Sequence, residues 1–129
     1  MSLESPSRSA LVLVAIAGLF GAAGTAVGAV AAHRIPDPAL ATAGTFLLIH
    51  AAALAGLAAA AQAFQAGWRL TAPAYIIALG VALFCGAIIA RAGFDLRPVP
   101  MMAPAGGSLL IAGWVPAALD ALLALRRRP

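Results

Sequence analysis

The sequence predicts an all-α integral membrane protein, a four-helix bundle forming a single domain over residues 1–129. Three observations carry that expectation. Between Ala10 and Leu125 the chain is apolar in four long blocks, parted by short joints that hold proline, glycine or arginine. Of its 129 residues, 64% are hydrophobic and 9% charged, against about 45–50% and about 25% in soluble domains; the mean hydropathy is +1.02. A bilayer core about 30 Å thick asks for roughly 20 apolar residues per helix, so four spans use nearly the whole chain. The apolar runs are continuous and lack period-2 alternation, which argues against a transmembrane barrel.

The first span is expected over about residues 9–32. It follows a polar start with Glu4 and Arg8, and ends at His33-Arg34-Ile35-Pro36-Asp37-Pro38, a turn that a helix cannot run through. The second span is expected over about 39–64, with Gly67 as its stop and Trp68 as an interfacial anchor. Thr71 is then the expected cap of a third span over about 71–90, with Pro73 in its first turn, where a missing N–H costs little. A loop from Arg91 to Ala103 holds Pro98 and Pro100 beside Met101 and Met102. Pro104 opens a fourth span over about 104–125, before Arg126-Arg127-Arg128. Inside that span Pro116 removes one backbone hydrogen bond, and a kink with a freed Ala112 carbonyl is expected.

A rival reading treats the first span as a cleaved secretory signal, with Ala29-Val30-Ala31 as the small-residue site. Against it, the apolar stretch is about twice the usual signal core and no secreted domain follows. All eight basic residues are arginine and sit at the ends of the blocks. They form no basic stripe with interleaved aromatics, so nucleic acid is not an expected partner. They carry topology instead: Arg8, Arg69, Arg126, Arg127 and Arg128 lie on one side, against Arg34, Arg91 and Arg97 on the other. That bias favours both termini in the cytoplasm. Cys85 is the single cysteine, so no intrachain disulfide can form.

Lipid offers no hydrophobic drive between helices, so association depends on close packing of small residues and on polar contacts. Gly21, Gly24, Gly28 and Ala32 supply such a row on the first span, for packing within the chain or as a homodimer seam. Gly106, Gly107 and Gly113 are the expected packing glycines of the fourth.

His50 is the polar group of greatest interest. About eleven residues into its span, it lies roughly 16 Å deep at 1.5 Å per residue. Gly113, Trp114 and Pro116 come at similar depth. A neutral His50 is expected to bond across to the fourth helix, at the Ala112 carbonyl or the Trp114 indole. The functional alternative is a proton relay, since intramembrane ionisable groups often mark pathways. A second titratable group at its level is lacking, so the structural reading is preferred. His33 is expected to pair with Asp37 at the interface. Asp120, near the end of the fourth span, is expected to reach the interface or pair with Arg127, and Arg91 to snorkel outward. Cys85, Met101, Met102 and the histidines have no ligand spacing for a soft metal. No nucleophile with its base, phosphate-cradling glycine loop or His-Glu-x-x-His helix is present. No enzyme activity, metal or cofactor is expected.

With those residues laid out, the chain resembles the domain-of-unknown-function 423 family of small membrane proteins. The likeness runs from about Ala22 to the C-terminus. Gly28-Ala29-Val30-Ala31-Ala32-His33 is similar to the family's Gly-Ala-Phe-Gly-Ala-His segment, and Phe46-Leu47-Leu48-Ile49-His50 to its aromatic-xxx-His element. Leu83-Phe84-Cys85-Gly86 resembles its Leu-Phe-Ser-Gly; Pro104-Ala105-Gly106-Gly107 with Gly113-Trp114 resembles its Pro-x-Gly-Gly…Gly-Trp. Ala103 and Cys85 stand where the family has hydroxyl residues. The resemblance implies four spans and residence in an inner membrane, and no activity, the family's function not being established. The expected role is a non-enzymatic membrane module whose partners are the lipid bilayer and a second copy or a larger membrane complex. The alternative is a small transporter or proton-linked channel using His50.

Overall fold

The computed structural model describes residues 5–126, and among these the regular structure is four helices in antiparallel succession. Helix α1 spans Arg8–His33, α2 Pro38–Ala63, α3 Trp68–Phe94 and α4 Met102–Arg126. Each is long and apolar enough to cross a membrane. At 1.5 Å per residue, 25–27 residues give about 37–40 Å, longer than a hydrocarbon core of about 30 Å. The helix ends therefore reach headgroup depth or the helices tilt.

The ends are set by local chemistry. Ser7 caps α1, its hydroxyl accepting the Ala10 N–H at 3.2 Å. Asp37 caps α2, one carboxylate oxygen accepting from Ala39 at 2.7 Å and Leu40 at 3.2 Å, with Pro38 opening the first turn. That carboxylate is thus engaged by backbone donors, where pairing with His33 was expected; His33 is exposed at the end of α1.

Two boundaries depart from the sequence reading. The stop of α2 is Gln65 rather than Gly67. Gln65 takes φ 51°, its N–H bonds the Gln62 carbonyl, and the Ala66 N–H reaches back to Ala61 at 3.0 Å. That pattern closes the last turn as a Schellman motif does. Gly67, at φ +52°, begins α3 instead. The first amides of α3 bond the Ala66 and Gly67 carbonyls, leaving Thr71 no capping task; it is buried inside the helix. Pro73 accordingly falls in the second turn. At the other end α3 continues past Ala90 to Phe94, because a lone Arg91 on a helix margin can extend its head to water. Helix α4 begins two residues before Pro104 and runs unbroken through Pro116.

Packing follows chain order. Helix α1 lies on α2 and α4 on α3, both extensively; α2 joins the two pairs through α3, and α1 touches α3 lightly. Helix α4 approaches neither α1 nor α2 backbone to backbone, so the bundle is open along that side. Of the largest fully buried side chains, Leu13, Leu54, Ile77, Val81 and Cys85 belong to one core cluster built chiefly from α1, α2 and α3, which Leu110 of α4 joins; Leu40 is also fully buried. Two polar contacts cross this core. The Tyr75 hydroxyl donates to the Ser9 carbonyl at 3.1 Å, and the Cys85 thiol to the Ala43 carbonyl at 3.6 Å.

Candidate functional site

The middle of the bundle carries a ladder of rings. Phe84 of α3 meets Phe46 of α2 with centroids 5.1 Å apart, Phe46 stacks on His50 at 5.5 Å, and His50 faces Trp114 of α4 at 6.2 Å. His50 and Trp114 each stand near the midpoint of their own helix. In an antiparallel succession α2 and α4 point the same way, and being of nearly equal length they place their midpoints at similar depth.

The bond expected from His50 to α4 is not formed. Its Nδ1 lies 2.8 Å from the Phe46 carbonyl, one turn back on the same helix. A carbonyl can only accept, so Nδ1 carries the proton and the ring is a donor there. The reason is distance. With α2 and α4 backbones held apart by α3, the nearest acceptor for a short imidazole is its own helix. His50 is 8% exposed, whereas Trp114 is 40% exposed on the open side. The structure thus brings His50 and Trp114 together as neighbouring rings tilted by 53° and leaves His33 far from both, at the end of α1.

The glycines sort by what a methyl group would meet. On Gly24 it would stand 3.0 Å from the Gly44 carbonyl, and on Gly44 3.0 Å from the Gly28 nitrogen, so α1 and α2 cross through Gly24, Gly28 and Gly44. Gly21 is at ordinary contact distance from Ala51. On Gly106 a methyl would stand 2.5 Å from the Phe84 nitrogen and 2.7 Å from the Gly80 carbonyl. On Gly113 it would meet Ile77 at 2.5 Å and the Pro73 carbonyl at 2.9 Å. Helices α3 and α4 therefore cross through Gly80, Gly106 and Gly113. Gly107, grouped with them from sequence, faces open space. Gly44 and Gly80 were missed; each is a lone glycine within an apolar run, a costly choice for a helix unless something packs close to it.

At the end of the bundle that carries α1's start and α4's finish, Arg69 is ion-paired with Asp120. Asp120 thereby ties α4 to the start of α3; its expected partner Arg127 lies outside the described residues. Thr25, Thr42, Thr45 and Ser108 each donate to the carbonyl four residues back, which satisfies the hydroxyls without a partner helix.

Four apolar helices of spanning length, packed through glycine and bearing their polar groups at the ends or bonded inward, define a multi-pass membrane protein. A family model described as a protein of unknown function, DUF423, matches residues 27–107, more than half the chain, and the protein belongs to that family. The match leaves out nearly the first three-quarters of α1 and most of α4, including Gly113 and Trp114. No curated protein and no solved structure matches the chain.

Proposed function

We propose that the protein is a non-enzymatic membrane module that associates laterally with a second copy or with a larger assembly, in an inner or plasma membrane with both termini cytoplasmic. The observation that carries this reading is the outer face of α1. Gly18, Ala22 and Ala26 recur every four residues, so they share one face, and all three are exposed while Gly24 is buried against α2. A methyl on Gly18 would touch nothing. Small residues in such a row let a second backbone approach closely, the chief source of helix association in lipid. The interior supports the same reading: His50 is bonded to its own helix, and neither of the two cavities at the ends of the bundle is lined by it. The orientation rests on the arginine bias, five against three.

Cysteine-directed cross-linking in native membranes tests this, with single cysteines at position 22 in a chain whose Cys85 is replaced by serine. Cross-linking at position 22, lost on Gly18→Leu with melting in detergent unchanged, is the expected result. A chain that stays monomeric and captures no membrane partner at that position, while proteoliposomes show His50-dependent proton flux, would replace the module with a transporter.

A further inference from the structure

A cleft of about 500 Å³ lies between the C-terminal ends of α2 and α4, at the end of the bundle that holds the start of α3. Its walls include Leu57, Phe64, Gln65, Arg69, Ala117 and Asp120. Because α2 and α4 do not meet backbone to backbone, it opens sideways toward lipid. The Arg69–Asp120 pair stands in its wall, with the carboxylate side chain 18% and the guanidinium side chain 39% exposed. One Nη2···Oδ1 contact joins them. A guanidinium has five N–H donors and a carboxylate about four acceptor sites, so one mutual contact leaves both with unused bonding capacity, and both line the cleft. Phe64, largely exposed, lines the cleft near the helix ends, where aromatic side chains mark the membrane interface. Leu57 and Ala117 lie deeper by one to two turns.

We infer that this cleft binds the headgroup of an ethanolamine phospholipid, its ammonium on Asp120 and its phosphate on Arg69. A lone anion or cation entering an apolar cleft would meet attraction from one member of the pair and repulsion from the other. A zwitterion whose two charges are joined by a short linker matches both. The ammonium must be primary, since a carboxylate accepts N–H bonds that a trimethylated nitrogen cannot give. A glycerol headgroup brings phosphate without a cation and leaves Asp120 facing negative charge. The apolar floor receives the start of the acyl chains. The site does not depend on the outer face of α1 and stands or falls apart from the proposed association.

Native mass spectrometry tests the inference on the full chain. Delipidated protein is incubated with an equimolar mixture of phosphatidylethanolamine, phosphatidylcholine and phosphatidylglycerol of identical acyl chains. The first bound lipid is expected to be the ethanolamine species by about tenfold, the factor that one charge-assisted hydrogen bond supplies. Asp120→Asn should bring ethanolamine and choline lipids to parity; Arg69→Gln should weaken retention of the ethanolamine lipid. Equal retention of the three lipids by the unsubstituted protein overturns the site, as does a preference unchanged in Asp120→Asn. Since the first comparison needs no variant, misfolding of either substitution leaves the inference open to refutation.

Discussion

The two halves of the molecule are both antiparallel helix pairs crossing through glycine, yet they use it differently. Where α3 meets α4, the atoms that a methyl on Gly106 would strike belong to the Phe84 and Gly80 backbone. Where α1 meets α2, a methyl on Gly24 meets the Leu48 side chain at 2.9 Å and the Gly44 carbonyl at 3.0 Å. Part of the second contact can yield by a rotamer change; the first can yield only by moving a helix. The α3–α4 pair is thus committed to glycine, whereas the α1–α2 pair is more tolerant, its tightest backbone contacts standing at 3.0 Å against 2.5 Å. This difference also bears on topology. Helix α4 is held almost wholly by α3, so its crossing has no neighbouring contact to compensate a loss.

The largest effect expected from that contrast is at Gly106. Gly106→Ala should destabilise the fold by about 2–3 kcal/mol through overpacking, read as a shift in SDS-induced unfolding in mixed micelles. Gly107→Ala, one residue along and facing open space, should change stability by less than about 0.5 kcal/mol. Equal losses at the two positions would end the claim that α3 and α4 meet through one specific face.

The second pair should respond more mildly. Gly24→Ala and Gly44→Ala are each expected to cost about 1–2 kcal/mol. Gly28→Ala should be near neutral, since its methyl would point into space although its backbone is touched by Gly44. A loss at Gly24 exceeding that at Gly106 would reverse the ranking of the two crossings.

Much of this architecture was legible beforehand, and what was not has a physical cause. Apolar block length revealed four helices because a bilayer fixes how long a span must be. The Gly24 and Gly113 positions could be singled out, but not the residues facing them: Gly44 and Gly80 become meaningful only when register between helices is known. Thr71 misled as a cap because local preference was overridden by the Gly67 turn, whose carbonyls already serve the first amides of α3. Gln65 was invisible as a stop because its left-handed conformation is rare outside glycine and asparagine. Asp120 was legible as an interfacial charge, whereas its partner Arg69 sits 51 residues away and is found only through the fold.

The ion pair sharpens the comparison further, because it is the polar tie of the half already most dependent on glycine. Arg69→Gln should lower stability by under about 1 kcal/mol, the side chain being more than a third exposed and solvent screening the charge. No corresponding side-chain ion pair joins α1 to α2 among the described residues. A cost as large as that of Gly106→Ala would mean that the tie, and not the glycine crossing, holds α4 in place.

The smallest effect is expected where the halves meet in the ring ladder. His50→Leu removes a bond to a carbonyl of the same helix and replaces the imidazole by an apolar group of similar reach. Phe46 still has its helical hydrogen bond, so no buried acceptor is stranded. The expected change in unfolding free energy is within about 0.5 kcal/mol, and His50→Ala should cost more because it leaves a gap beside Phe46 and Trp114. If the leucine variant instead loses as much as the alanine one, the imidazole supplies a polar contact across the seam, and the two halves are joined by hydrogen bonding rather than by ring packing. Trp114 fluorescence, read in a Trp68→Phe background, distinguishes the cases directly: a change of environment is expected in the alanine variant and little change in the leucine variant.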